Sequence, residues 1–190
     1  MTLEFRTRRV ITGHDREGKA IIVADDVLDA ELLKVPGAGG NPQVAAAAIE
    51  LWGTATSPVD NSDAALATQK RGWRGHTQEG LGQRSMFRIG RLPPGSVAPM
   101  HRTESVDYAI LVEGECDLLL DGGQTTTLRA GDVVIQRGTM HSWANRGDKP
   151  CTWLFILLDA HPVKVNGAEL KQVIGAAPDV AQFYPAKPAT

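Results

Sequence analysis

The stretch that decides the fold is residues 95–114, GSVAPMHRTESVDYAILVEG. Its second half, VDYAILVEG, is rich in the β-branched and aromatic residues that favour strands. Side chains two positions apart on a strand share a face, so His101, Thr103 and Asp107 point the same way if the strand is unbroken. The stretch therefore predicts a histidine and a carboxylate that face one interior.

Short strand-like runs follow one another on both sides of this stretch, and turn residues separate them. The glycines of DGG at 121–123 favour a tight hairpin, because such turns need a positive φ. Regularly spaced short strands of this kind predict an all-β barrel or sandwich. The runs are MFRIGRL, VDYAILVEG, ECDLLLD, TTTLR, DVVIQ, HSWAN and CTWLFILLD.

A second histidine lies further along, in residues 131–145, GDVVIQRGTMHSWAN. His141 follows the turn RGTM and begins a strand on which Trp143 and Asn145 share its face. Two imidazoles and one carboxylate on barrel strands resemble the arrangement that binds a first-row divalent metal and leaves positions open. Taken alone, histidines in a chain that holds five are more often structural.

The spacing of residues 95–114 resembles the first motif of the cupin superfamily. That motif has a glycine, five residues, His-x-His, three or four residues, an acidic residue, six residues and a closing glycine. The matching residues here are Gly95, His101, Thr103, Asp107 and Gly114. The spacing matches throughout, and this makes the resemblance fairly specific.

Residues 131–145 resemble the second cupin motif, which runs from a glycine through a Pro-x-Gly turn to a histidine and, four residues later, an asparagine. The matching residues are Gly131, Gly138, His141 and Asn145. The first half of this motif is one residue short, and Gln136 stands in the proline position. The resemblance implies a small single-domain cupin.

The fold implied is a cupin-type double-stranded β-helix, or jelly-roll barrel, over residues 85–160 within one structural domain. Residues 1–84 precede the barrel. They hold a hairpin from RTRRVITG and GKAIIVAD, a loop at 25–47 whose alanine run suits a short helix, a strand AIELWGT, and a turn-rich connector at 55–84. The connector, with Trp73 and His76, is either a lid or a covering loop. Residues 161–190 form a tail in which GAELKQVIG suits a short C-terminal helix.

A divalent metal ion is the cofactor that the resemblance implies, and Fe, Mn, Zn and Ni are all compatible with the ligands. The ligands implied are His101, Asp107 and His141. Thr103 replaces the second motif histidine, and Asp107 stands where glutamate is usual, so its strand must approach more closely. Glu104 is the alternative acid, because a bulge near Ser105 would shift the parity of the strand.

The pocket residues predicted beside the metal are Thr103, Gln136, Trp143 and Asn145. Gln136 and Asn145 are candidates to orient a ligand imidazole through a hydrogen bond. No catalytic residue is assigned. The candidates for proton transfer are Glu104 and Tyr108, although Tyr108 and Arg102 point away from the ligands if the parity holds.

Function follows only in outline, since cupin folds host many reactions. The leading interpretation is an enzyme that acts on a small organic acid or polyketide-like molecule by metal-assisted proton transfer, as a dehydratase, decarboxylase or isomerase. One alternative is an iron-dependent dioxygenase. The other is a non-catalytic barrel that binds or senses a small ligand.

Composition argues against several classes of partner. A net charge of -2 gives no reason to expect nucleic acid, and CTWLFILLDA is too short to span a bilayer. The N-terminus lacks a stretch of signal-peptide length, and Cys116 and Cys151 indicate buried free thiols, so a cytoplasmic protein is expected. Small cupins commonly pair through N-terminal strands, and this implies a homodimer.

Overall fold

The computed structural model describes residues 3–36, 42–54, 56–62 and 85–184. Within these ranges the chain forms fifteen strands, one 3₁₀ turn and no α-helix. The strands are β1 Arg6–His14, β2 Ala20–Asp29, β3 Glu31–Pro36, β4 Pro42–Thr54, β5 Ser85–Leu92, β6 His101–Arg102, β7 Ser105–Glu113, β8 Glu115–Leu120, β9 Thr125–Arg129, β10 Val133–Arg137, β11 His141–Ala144, β12 Cys151–Asp159, β13 Val163–Val165, β14 Ala168–Leu170 and β15 Val173–Ile174.

Two antiparallel sheets build the barrel. One has six strands in the order β10-β7-β12-β5-β4-β3, and the other has five in the order β15-β6-β11-β8-β9. Side chains from both sheets meet in one buried cluster, to which the first contributes Leu111 and Trp153 and the second Leu118 and Trp143. Burying these large apolar groups, at about 25 cal/mol per Å² of apolar surface, holds the sheets face to face.

The predicted strands of the barrel and its tight hairpin are confirmed. β8 pairs with β9, and the turn between them places Gly123 at a φ of 80°. The Gly123 amide donates to the Leu120 carbonyl at 2.9 Å, and the Leu120 amide donates to the Gln124 carbonyl at the same distance. Glycine accepts this left-handed conformation without strain, so the turn that the sequence favours is the one that forms.

The N-terminal hairpin is confirmed as β1 and β2, and it contacts the barrel sheet. Arg9 pairs with Asp26 on the neighbouring strand and donates from Nη1 to the Leu51 carbonyl at 2.9 Å. Arg91 lies over the Phe5 ring, with its guanidinium carbon 4.8 Å from the ring centroid. These contacts join the hairpin to β4 and β5.

The loop and helix predicted over residues 25–47 are wrong where the structure describes this segment. β2 continues to Asp29, β3 follows, and the alanine run 45–48 lies within β4. Alanine is the best helix former, but β4 is hydrogen-bonded to β3 on one side and β5 on the other. Pairing on both edges outweighs the local preference, and β3 and β4 therefore extend the barrel sheet.

The C-terminal helix is also wrong. GAELKQVIG forms β14 and β15 instead, and β15 adds to the five-stranded sheet by pairing Val173 with Arg102 and Ile174 with His101. A helix this short gains little from its own hydrogen bonds, whereas strand pairing satisfies the same backbone groups at the sheet edge. A single 3₁₀ turn follows at Val180–Phe183.

Two expectations concern other parts of the chain. The predicted lid or covering loop, with Trp73 and His76, lies outside the described residues. In the part that the structure does describe, no helix has the length and apolar character needed to cross a membrane.

Candidate active site

Two histidines meet inside the barrel because their strands are neighbours. His101 on β6 and His141 on β11 are register partners in the five-stranded sheet. Their ring centroids lie 4.2 Å apart with the planes tilted by 49°, and His141 is only 2% exposed. Gly138, at a φ of 60°, lies in the turn that leads into β11. The sheet register therefore brings together two imidazoles that are forty residues apart in sequence.

Each ring is oriented by a backbone carbonyl two residues earlier. His101 Nδ1 lies 2.9 Å from the Pro99 oxygen, and His141 Nδ1 lies 3.0 Å from the Thr139 oxygen. A carbonyl only accepts, so Nδ1 carries the proton in each neutral ring and Nε2 becomes its acceptor nitrogen. Burial lowers the pKa of His101, with the Pro99 contact opposing the shift. His101 is therefore uncharged at neutral pH.

Asp107 reaches the same cavity from the opposite sheet. It lies on β7, is 6% exposed, and accepts hydrogen bonds from Ser105 Oγ at 2.5 Å and Thr103 Oγ1 at 3.4 Å. Burial raises the pKa of Asp107 to about 6, although those hydrogen bonds and the charge of Arg88 oppose the shift. The carboxyl group therefore changes its charge close to neutral pH.

The parity argument for His101 and Asp107 is wrong, although both residues do line the cavity. The strand breaks at Thr103 and Glu104, so β6 belongs to one sheet and β7 to the other. The chain crosses the barrel at this break. His101 and Asp107 thus approach the cavity from two walls and do not share one strand face.

Two pairs of buried polar side chains lie on the inner face of the six-stranded sheet, one on each side of β12. Gln136 on β10 pairs in register with Asp107 on β7, and Arg88 on β5 pairs with Glu50 on β4. Arg88 is 6% exposed and Glu50 is 3% exposed. Burial lowers the pKa of Arg88 to about 10, while the charges of Glu50 and Asp107 act to raise it. The opposite charges of Glu50, Arg88 and Asp107, called the charged set below, therefore compensate one another.

The two histidines, Asp107, Gln136 and Arg88 line a cavity of about 100 Å³ whose remaining lining is mostly apolar. The alanine run and Gly90 line it from β4 and β5, and Trp143 and Phe155 line it from β11 and β12. The rings of Trp143 and Phe155 lie 6.1 Å apart at 56°. An apolar cavity with a few convergent polar groups is the usual form of a small-molecule site.

Two of the three predicted metal ligands are placed together in the cavity. The two imidazoles fit a metal centre, because ligating histidines usually hold one ring nitrogen against a carbonyl and present the other. Asp107 does not join them: across the described ranges, no group of three His, Cys, Asp or Glu side chains is placed to hold one ion. The arrangement thus offers two ligands of the expected three, and Asp107 is bound to hydroxyl groups instead.

The predicted pocket residues divide between the cavity and its surroundings. Thr103, Gln136 and Trp143 line the cavity. Asn145 does not, because it closes the following turn, donating to the Leu92 and Lys149 carbonyls at 3.1 and 2.8 Å and accepting from the Gly147 amide. The proposed hydrogen bond from Asn145 to a ligand imidazole is therefore wrong.

Gln136 and the two catalytic candidates have other partners. Gln136 Nε2 donates to Thr139 Oγ1, so its amide supports the turn before His141. Glu104 lines a second pocket near the surface and accepts from the Gln172 amide at 3.2 Å. Tyr108 is 39% exposed on the outer face of the sheet. Neither Glu104 nor Tyr108 is among the residues that surround the cavity.

Two arginines line the cavity that the sequence interpretation did not place there. Arg88 lies on the inner face of β5, whereas its neighbours Phe87 and Ile89 lie on the other face and are half-buried. Arg102 lines the cavity beside His101, contrary to the expectation that it points away. The alternation of Met86, Arg88 and Gly90 on one face of β5 could have indicated that Arg88 points inward. Both faces of β5 are partly apolar, however, so the sequence did not show which face is buried.

Comparison with known proteins agrees with this architecture. The cupin domain family model matches residues 88–157. The chain is 35% identical over 172 residues to a cupin-domain-containing oxidoreductase of Hypocrea virens, covering 88% of this chain and 83% of the relative. It is 36% identical over 183 residues to the phomopsin biosynthesis cluster protein C' of Diaporthe leptostromiformis, covering 93% and 91%. The polyketide cyclase RemF from Streptomyces resistomycificus aligns with a TM-score of 0.46 at 18% identity, covering 81% and 83%.

The chain belongs to the cupin family. The extent of the two sequence matches places the whole described fold, and not only the central motifs, within that family. Cupin-domain oxidoreductases and proteins of biosynthesis clusters are among its relatives, and they support an enzyme-like role.

Proposed function

We propose that the chain is an enzyme that moves a proton at a carbon atom next to a carbonyl group in a small biosynthetic intermediate. The observation that carries the proposal is that His101, His141 and Asp107, two bases and one acid, line a single apolar cavity. The relatives in biosynthesis clusters support a small-molecule substrate. Dehydration, decarboxylation and isomerisation all fit this chemistry.

The proton-transfer roles follow from protonation states. His101 is neutral because burial lowers its pKa, so its Nε2 is the atom that takes a proton from carbon. Asp107, whose pKa burial raises to about 6, exists in both forms near neutral pH and returns a proton to the neighbouring oxygen or carbon. The apolar walls exclude water, which strengthens both interactions.

A divalent metal is the alternative occupant of the two Nε2 atoms. If His101 and His141 hold an ion through Nε2, neither ring takes the proton from carbon, and Asp107 is then the group that moves it. When bound there, the ion would supply a Lewis acid for a substrate oxygen. Elemental analysis of the purified protein tests this: metal at a constant ratio to protein should be lost in His101→Ala and in His141→Ala. His14→Ala, which changes an exposed histidine on β1, should keep it. Equal metal content in all variants would remove the metal from the proposal.

Hydrogen exchange in D₂O tests the proton transfer itself. The probes are a panel of aryl ketones, β-keto acids and arylpyruvates, and proton NMR measures loss of the hydrogen next to the carbonyl. We expect wild type to accelerate exchange of at least one probe, with about a hundredfold loss in His141→Gln, within the range that general acid–base groups contribute. His14→Gln should match wild type. Exchange that is no faster than in buffer, or that His141→Gln retains, would contradict the proposal.

An oxidoreductase is the second candidate, because several relatives carry that description. Two histidines are also compatible with an iron site that keeps positions for oxygen. Oxygen uptake that depends on both histidines, together with no hydrogen exchange, would favour this candidate. A barrel that binds the probes without either reaction would be a non-catalytic binding protein.

We also propose a homodimer that forms through the β1–β2 hairpin. A two-stranded hairpin is marginally stable alone, and this one leaves Val10, Ile22 and Val27 exposed at 47%, 62% and 56%. A second copy paired along the hairpin would cover these side chains and an open strand edge. Light scattering should give twice the mass of the chain at micromolar concentration, and a monomer would contradict this.

A further inference from the structure

Arg102 is the cation of the cavity whose charge the described chain does not balance. It ends β6 beside His101 and lines the cavity together with Gln172 and Ile174 of the C-terminal segment. Its Nε atom is buried, and within the described residues no acceptor is hydrogen-bonded to it. Arg102 as a whole is half-buried, and a buried donor atom without an acceptor is costly, so the position favours an anionic or strongly accepting group.

Arg88, in the same cavity, has acidic side chains near enough to compensate its charge. Its register partner Glu50 is buried beside it, and Asp107 acts on it from a third strand. No carboxylate forms an ion pair with Arg102 in the described part of the chain. The nearest acid in sequence, Glu104, accepts from the Gln172 amide at the neighbouring surface pocket. Arg102 therefore differs from Arg88 in having no carboxylate close to it among the residues that the structure describes.

Small and aromatic residues make up much of the apolar lining of the cavity. Ala48 on β4 and Gly90 on β5 are register partners, so two very small side chains lie side by side on one wall. A Cβ atom built on Gly90 would lie 3.5 Å from Cε2 of Phe155, and the ring of Phe155 therefore covers this wall closely. Trp143 lies beside Phe155. A planar ring packs well against such surfaces.

We propose that Arg102 binds a carboxylate of the substrate, and that the substrate is a small planar acid whose apolar part packs against Phe155 and Trp143. A guanidinium presents a planar fork of donors that matches the two oxygens of a carboxylate. Arg102 is thus a specificity-determining residue: it orients the acid so that the reacting carbon faces the histidines. This inference rests on the proposed function, since it assigns a substrate class to the same cavity.

Benzoate and benzamide are matched probes for this assignment, because they share a size and a ring and differ in charge. Isothermal titration calorimetry on the full chain should show benzoate binding more tightly than benzamide by about tenfold or more, as expected for a charged hydrogen-bonded pair. Arg102→Gln should abolish that difference by weakening benzoate alone, and Arg102→Lys should keep part of it. Arg137→Gln, which removes an exposed arginine outside the cavity, should change neither probe.

Three results would overturn the assignment: benzoate that does not bind wild type, benzamide that binds as tightly as benzoate, or an Arg102→Gln variant that keeps the preference. Circular dichroism of each variant confirms that the fold is retained, and Arg102→Lys gives a second test if Arg102→Gln unfolds. The outcome is separable from that of the proposed function. Hydrogen exchange that depends on His141 would stand even if the charge preference failed, and the reverse also holds.

Discussion

The two walls of the cavity hold their polar groups in different ways. On the five-stranded sheet, His101 and His141 are each oriented by a backbone carbonyl two residues earlier. On the six-stranded sheet, the charges of Asp107 on β7 and of Glu50 on β4 both act on Arg88 on β5. The histidines are therefore oriented locally, whereas the charged groups are stable only as a set. Substitutions in the charged set should cost stability, and substitutions of the histidines should mainly cost function.

The largest effect is expected when one member of the charged set is replaced. Arg88→Met should lower the free energy of unfolding by about 3–5 kcal/mol, because Glu50 is left buried without its compensating charge. Adding Glu50→Leu to that variant should restore much of the loss. Urea denaturation measures both. His101→Gln is the matched change on the other wall and should cost only about 1 kcal/mol.

Two results would contradict these expectations. Equal losses for Arg88→Met and His101→Gln would mean that the two walls are not held differently. A double variant with losses that simply add would mean that Arg88 and Glu50 do not compensate each other, since independent sites are additive.

The next effect concerns Asp107 and pH. Its pKa is about 6 in the folded chain and about 4 in an unfolded one, so the folded chain binds the proton more tightly. The free energy of unfolding should therefore fall as pH rises from about 4 to about 6, by up to about 3 kcal/mol. His101 shares the cavity, and its lowered pKa adds a pH dependence of the opposite sign, because burial disfavours its protonated form.

Asp107→Asn isolates the contribution of this one carboxyl group. Urea denaturation in EDTA, repeated across that pH range, should give a flatter profile for Asp107→Asn than for wild type. Asp148→Asn, at an exposed position, should follow wild type. Parallel profiles for wild type and Asp107→Asn would show that burial does not raise the pKa of Asp107.

A smaller effect separates Asn145 from the cavity. Asn145→Ala removes the side-chain hydrogen bonds to Leu92, Lys149 and Gly147, so it should cost about 1–3 kcal/mol of stability. Benzoate affinity should stay unchanged. A variant that loses benzoate affinity without losing stability would show that Asn145 contacts the ligand.

Much of the fold could be predicted because its signals are local. The glycine turn at 121–123 and the alternating runs around it define strands without reference to the rest of the chain. The spacing of residues 95–114 and 131–145 also identified three of the side chains that line the cavity, His101, Asp107 and His141. The spacing located these residues, although it did not show that His101 and Asp107 lie on different sheets.

What could not be predicted depends on distant pairing. The alanine run 45–48 becomes a strand only because β3 and β5 pair with it, and no local signal records that. Arg88 lies on a strand whose two faces are both partly apolar, so alternation did not reveal which one is inward. The directions of Arg102 and Asp107 were predicted from an unbroken strand. The strand breaks at Thr103, and Arg102 therefore lines the cavity instead of pointing away from it.

Nitrogen NMR of labelled histidines can show whether His101 and His141 open into the same cavity. His101 should show the Nδ1–H neutral tautomer at pH 7, and benzoate should shift the Nε2 signals of both rings while leaving those of His14 and His161 in place. His101→Gln and His141→Gln assign the two signals. A response from only one of the two rings, or a charged His101 at pH 7, would contradict the account.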